Sequence, residues 1–182
     1  PQRDERFLKT CDVIAIREAI KGLIEVVAQQ GTLVFGGHPA ITPMIAQLMR
    51  SYGTEAKKRV ILYQSEYFTK KLPQENDEFI DLRLIPAQSK SRKRSLDRMR
   101  KRMIEDTIFD AAVFIGGMDG VIEEYELFKR HHPNARIWPI ASTGAAAREI
   151  FVSEGQPQAD LLLSEMTYST LFRELATQAS SG

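Results

Sequence analysis

A doubly wound α/β fold, with a mainly parallel sheet and helices on both faces, is what this chain predicts. Three observations predict it. Short apolar runs that read as strands recur along the chain, at residues 32–35, 59–63, 79–85, 111–115 and 136–141. Segments of helical period lie between them, which is the layout of a parallel sheet covered on both faces. Three strand ends pass directly into turns of small residues: Gly36-Gly37-His38, Gly116-Gly117-Met118-Asp119-Gly120 and Ser142-Thr143-Gly144. In sheets of this Rossmann-like kind, ligands bind beyond the carboxyl ends of the strands, where these turns are expected to gather.

The elements follow in order. Residues 12–30 carry Val13, Ile14, Ile16, Ile20, Leu23, Ile24 and Val27 at helical spacing, with Gly31 placed as a stop. After the strand at 32–35, a second helix is expected over residues 41–52, ending near Gly53. Residues 59–63 form a short strand. Residues 66–78 mix charges with Pro73, Asn76 and Asp77 and read as loop or irregular helix. Residues 79–85 alternate like an edge or half-buried strand. A helix over 91–107 turns Leu96, Met99, Met103 and Ile104 inward and its basic residues elsewhere. The strand at 111–115 leads into a helix over 121–130 that stops before Pro133. The strand at 136–141 leads into a helix over 145–152. Residues 153–159 read as loop and 168–177 as a closing helix.

Length and composition bound the function classes. A chain of 182 residues holds one α/β domain, read here as a single unit over 1–182. Its 43% hydrophobic and 27% charged content is that of a globular protein. No apolar run approaches the roughly 20 residues of a membrane span, and the start lacks a signal-peptide layout. A single cysteine, Cys11, excludes an internal disulfide framework and fits a reducing cytoplasm. Three histidines without paired carboxylate spacing give no metal site, and no cofactor is expected. The net charge of +1 exerts no global pull on nucleic acid. Charge is concentrated, however, in Lys90, Arg92, Lys93, Arg94, Arg98, Arg100, Lys101 and Arg102. That segment is either a solvated helix face or a cationic wall for phosphates. Nucleic-acid binding through it is a third, minor reading.

The turns carry the chemistry. Closely spaced glycines at a strand-to-helix junction let a phosphate approach backbone N–H groups with no Cβ in the way, and the helix start favours an anion. Glu123 and Glu124 follow Gly120 and point in different directions on a helix, so at most one of them faces a pocket. His38 in the first turn is either a phosphate contact or an ordinary turn residue. Asp119 is either a ligand neighbour or a helix cap. Thr143 and Gly144 either offer hydroxyl and N–H groups to a ligand or cap the next helix.

The residues Gly36-Gly37-His38-Pro39-Ala40-Ile41-Thr42, Arg100-Lys101 and Gly116-Gly117-Met118-Asp119-Gly120-Val121-Ile122-Glu123-Glu124 resemble the SLOG superfamily. That group joins the LOG enzymes, often labelled lysine decarboxylases, to sensor domains found with TIR and sirtuin-like enzymes. The LOG enzymes cleave the N-glycosidic bond of nucleoside 5′-monophosphates. The resemblance covers most of the chain up to about Phe151. By it, Glu124 falls on the catalytic glutamate and Arg100 on the arginine of the enzymes. Ile115 stands where the enzymes have proline, Val121 where they have threonine, and Asp119 is an extra residue inside the turn. The His-Pro-Ala-Ile-Thr form of the first turn is closer to the TIR-associated branch.

What the resemblance implies is a sensor that binds a nucleotide-derived signal of the ADP-ribose type in a bacterial antiviral defence system. Gly36, Gly37, Gly116, Gly117 and Gly120 would admit the phosphates, with Met118 and Asp119 in the same turn. Arg100 and Arg98 would neutralise them. Glu124 would hold a ribose hydroxyl, and His38, Thr42, Thr143 and Gly144 would line the rim. The alternative is a LOG-like N-ribohydrolase in which Glu124 stabilises the ribose cation and Arg100 anchors the phosphate. A homodimer or higher homo-oligomer, with a TIR-domain or other defence effector as partner, is expected by the same resemblance. Family members begin with a central strand, whereas this chain opens on a polar segment and a helix; a missing strand would expose neighbouring edges, so either residues ahead of Pro1 are missing or another segment fills the slot.

Overall fold

The computed structural model describes residues 5–155 and 159–180. They form two compact units, residues 24–107 and, together, residues 1–23 and 108–182. Residues 1–4 and the stretch 156–158 of the expected 153–159 loop lie outside the described residues.

The first strand of the chain belongs to residues 24–107. Strand β1 (Leu33–Gly36) pairs in parallel with β2 (Val60–Ser65), Leu33 opposite Val60 and Gly36 opposite Tyr63. Strand β2 pairs in parallel with β3 (Asp81–Ile85), so the order is β1-β2-β3. The central strand is apolar because both its faces are covered: Val60, Leu62 and Tyr63 are fully buried. Helix α3 (Thr42–Lys57) buries Ile45, Ala46 and Met49, and α4 (Arg92–Glu105) buries Ser95, Met99 and Met103. Gly53 interrupts α3 with φ 82°, so the expected stop is a break after which the helix resumes. Helix α4 starts where the Ser91 hydroxyl accepts the Arg94 N–H. Between β2 and β3 the irregular segment resolves into 3-10 turns at Glu66–Lys71 and Gln74–Glu78.

The other unit holds β4 (Ala111–Ile115) and β5 (Arg136–Ile140), again parallel, with Ala111 opposite Arg136 and Ile115 opposite Ile140. Helix α5 (Asp119–His131) follows β4 and α6 (Ala145–Glu154) follows β5. Phe114, Tyr125, Ala147 and Ile150 form their common core. Two short helices escape the sequence reading: α1 (Glu5–Leu8), whose Phe7 is buried against Ala145 and Ala146, and α7 (Ala159–Ser164). Both are too short to show helical periodicity. Helix α8 (Tyr168–Ser180) closes the unit through Leu171, Phe172 and Leu175.

Helix α2 (Val13–Gln29) starts at Asp12, whose Oδ1 accepts the N–H groups of Ile14 and Ala15, both at 2.9 Å. The division between the two units falls within it, after Leu23. The architecture is thus Rossmann-like α/β with parallel sheets flanked by helices. The ladder is divided into a three-stranded and a two-stranded sheet. Among the described residues no strand pairs with the outer edge of β1 or of β4, and no helix is long and apolar enough to cross a membrane.

Candidate functional site

In the second turn, Gly116 and Gly117 sit between β4 and α5 with φ of 54° and 89°. A Cβ at Gly117 would lie 2.3 Å from Val121 Cγ2, so the turn can close on α5 only with glycine there. The buried Gly116 N–H donates to Thr143 Oγ1 at 2.8 Å. Beyond it, Met118 N-caps the helix by its backbone alone, and its carbonyl accepts from Val121 N–H at 2.7 Å. Among the described residues, the N–H groups of Gly117, Met118, Asp119 and Gly120 meet no protein acceptor. They are the orphan donors of the α5 N-terminus, all on one exposed turn.

Asp119 does not cap. Its carboxylate points away and pairs with Arg6 Nη2 at 2.7 Å, while Arg6 Nε lies 3.3 Å from Glu149 of α6. The Asp119 side chain is 69% exposed, so this pair is weak and exchangeable. Arg6 also lines an open cleft of about 350 Å³ together with Thr10, Ala145, Arg148, Glu149 and Val152. Its lining carries two guanidinium groups, Arg6 and Arg148, and the Glu149 carboxylate, with Asp119 paired to Arg6 at its edge.

The third turn differs from expectation. Thr143 is 0% exposed, and its hydroxyl is used twice inside the fold: it accepts from Gly116 N–H and donates to the Ile140 carbonyl at 2.6 Å. Gly144 (φ 72°, ψ −159°) packs so tightly under the α1–α2 connection that a Cβ would lie 1.7 Å from the Thr10 carbonyl oxygen. Its N–H donates to the Ala141 carbonyl at 3.0 Å. The next three amides are also filled, Ala145 by Thr10 Oγ1 and Ala146 and Ala147 by the carbonyls of Gly117 and Gly116. Thr143 and Gly144 therefore brace the second turn, with the Thr143 hydroxyl and the Gly144 N–H both used inside the fold.

The first turn is likewise closed on itself. Gly37 N–H donates to the Tyr63 carbonyl at 2.8 Å, extending the β1–β2 ladder by one step. His38 N–H donates to Thr42 Oγ1 at 3.0 Å, and Ala40 N–H to His38 Nδ1 at 3.2 Å. Ile41 and Thr42 N–H groups both donate to the His38 carbonyl. With Pro39 lacking an N–H, Gly37 to Thr42 leaves no main-chain donor for an anion. Thr42 is fully buried. His38 is an exposed residue of this turn, and desolvation of its ring lowers its pKa from the ordinary value. With Nδ1 accepting from Ala40 N–H, the neutral imidazole carries its proton on Nε2.

The cations of residues 90–102 divide. Arg92, Lys93, Arg94, Arg98, Lys101 and Arg102 are exposed, whereas the Arg100 side chain is 14% exposed and lies 3.7 Å from Asp97. Inward, Ser95 stands buried where Leu96 was expected to be, and Leu96 is half-buried. On α5, Glu124 is half-buried and Glu123 exposed, in keeping with their different directions. Among the described residues no cluster of three His, Cys, Asp or Glu side chains suits a metal ion.

Arg6 and Thr10 escaped the sequence reading. Both lie more than a hundred residues from the turns they touch, and no local pattern marks them.

The sequence model described as the SLOG cluster3 family covers residues 6–176. No curated protein and no solved structure matches.

Proposed function

We propose, from the premise that this chain belongs to the SLOG cluster3 family, that it binds a nucleotide-derived anion of the ADP-ribose type and serves as the sensing module of a bacterial defence system. The observation that carries this reading is the row of unfilled N–H groups from Gly117 to Gly120 at the start of α5. Such a row attracts phosphate through oriented N–H dipoles that need no reorganisation. The cleft lined by Arg6 and Arg148 adjoins the same ion pair and has the volume of a small-ligand site. An entering phosphate displaces the Asp119 carboxylate from Arg6 and takes its place. Glu124, half-buried on the second turn of α5, is the carboxylate for a ribose hydroxyl.

The other turns support this arrangement in different ways. Thr143 and Gly144 act as braces. Within residues 24–107 the N–H groups of Gly37 and His38 already have acceptors, so a ligand contact in that turn would come from a side chain such as His38. Hydrolysis, the LOG-like alternative, would need Glu124 and Arg100 to act on one glycosidic bond. Assembly as a homo-oligomer with a TIR-domain or similar effector belongs to the same proposal.

Isothermal titration with ADP-ribose tests it. Saturable binding is expected, and Asp119→Asn should tighten it several-fold by removing a competing anion from the helix start. No binding by either protein, or weaker binding by Asp119→Asn, would refute the phosphate site. Incubation with nucleoside 5′-monophosphates should release no free base. Base release that disappears in Glu124→Ala would establish the hydrolase instead.

A further inference from the structure

We propose that the 3-10 turn Glu66–Lys71 and the first half of α4 form a docking surface for single-stranded nucleic acid, with a base stacked on Tyr67 and the sugar–phosphate backbone held by the cations of α4. This goes beyond the ADP-ribose reading and does not rest on it, since every residue involved lies within residues 24–107.

The two segments meet beyond the carboxyl ends of adjacent parallel strands: the 3-10 turn follows β2 directly, and α4 is the next element after β3. Arg92 of α4 stands over the Phe68 ring, 6.0 Å from its centroid, and Tyr67 meets Phe68 edge-on at 5.0 Å. Tyr67 is 40% exposed, so one ring of this pair is open to the surface. Cations lie on both segments. Lys70 and Lys71 end the 3-10 turn, and Lys90, Lys93, Arg94 and Arg98 run from the approach to α4 into its second turn, all of them exposed. Among the described residues none of these pairs with a carboxylate. Farther along α4, by contrast, Arg100, Lys101 and Arg102 lie 3.7, 3.7 and 3.2 Å from Asp97, Glu105 and Asp106. Of the carboxylates on the proposed surface, Asp97 is the one facing Arg100, and Glu66 opens the 3-10 turn.

This charge is arranged against folding. Arg92, Lys93 and Arg94 form the first turn of α4 with no acidic residue among them, at the positive end of the helix dipole. An anion laid over them relieves that repulsion. Arginine favours phosphate for the purpose, because two phosphate oxygens accept the two N–H groups of one guanidinium together. Arg94 and Arg98 stand about 6 Å apart along the helix axis, which suits a chain of regularly spaced charges rather than one small anion. An acidic peptide would answer the charge alone and leave Tyr67 unused. A duplex would do the same, because its bases are stacked on one another. A single strand brings phosphates and a free base face at once.

Fluorescence anisotropy with short labelled RNA and DNA single strands tests it, beside the matching duplex and an oligoglutamate of equal charge. The wild-type protein should bind a single strand at low salt, and log affinity should fall against log salt with a slope of about −3, for about four phosphates neutralised. Comparison of the RNA and DNA arms identifies the strand type. Tyr67→Ala should weaken single-strand binding by about fivefold or more and leave the slope unchanged, while Tyr67→Phe keeps the ring and the affinity. Lys93→Gln combined with Arg94→Gln should flatten the slope by about 1.4. Absence of single-strand binding at low salt would overturn the inference. So would duplex or oligoglutamate bound as tightly as the single strands, unchanged affinity in Tyr67→Ala, a loss shared by Tyr67→Phe, or a slope unmoved in the double variant.

Discussion

Replacing Thr143 by valine removes one oxygen and leaves shape almost unchanged, so its effect isolates the buried hydroxyl. That oxygen accepts the Gly116 N–H at 2.8 Å and donates to the Ile140 carbonyl at 2.6 Å. Gly116 is buried, so in Thr143→Val its N–H is left without water or partner, a penalty of about 1–3 kcal/mol. Loss of the second hydrogen bond adds about 1 kcal/mol. The expected total is about 3 kcal/mol, or roughly 6–12 °C in the thermal midpoint for a chain of this size. Thr143→Ser keeps both bonds and deletes one methyl group from a fully buried site, for about 1 kcal/mol. Urea denaturation of the three proteins with a common slope measures these differences directly. If Thr143→Val were as stable as Thr143→Ser yet lost ligand binding, the hydroxyl would belong to the ligand site, and the brace assigned to it would be wrong.

Three further outcomes follow from other parts of the structure. Gly144→Ala should destabilise by about 3 kcal/mol or more, because a Cβ there meets the Thr10 carbonyl oxygen in a backbone region reserved for glycine; Gly155→Ala, with φ 59° and open space around it, should cost about 1 kcal/mol in the same denaturation assay. Burial pushes the Glu154 carboxyl up, but hydrogen bonds from Lys129 and Tyr125 outweigh it and hold the pKa below the ordinary 4.5. A depressed folded-state pKa gives stability that is complete above 4.5 and lost as pH falls through the folded value, so Glu154→Gln should flatten the acid limb of a stability–pH curve. NMR titration should place His38 below 6.5 with its neutral proton on Nε2, and a value above 6.5 would contradict the desolvation of its ring beside Ala40.

The acid-labile cluster illustrates why some of this was hidden. Tyr125 and Lys129 are neighbours on one helix, four residues apart, but Glu154 comes from the end of α6, and nothing in its surroundings along the chain announces the meeting. Helix starts were easier to place. Asp12 and Ser91 mark theirs with side chains that accept the N–H groups two or three residues on, an interaction encoded within four residues. Asp119 looked the same by that rule and is not a cap, because Arg6 draws its carboxylate out to the surface.

The order of strands and helices, their parallel pairing and the glycine turns at the strand ends follow from patterns local to the chain: apolar runs of four to six residues, helical spacing, and residues that tolerate positive φ. These depend on neighbours within one or two turns, so the amino-acid order alone determines them. Which turn keeps its donors open is a different matter. All three turns carry small residues, yet among the described residues the amides of Gly117 to Gly120 stay unfilled, whereas Tyr63 fills Gly37, Thr10 fills Ala145, and Gly116 and Gly117 fill the start of α6. Those acceptors come from 26 to 135 residues away in the chain, and a hydrogen bond made through space satisfies an amide as fully as one made through sequence.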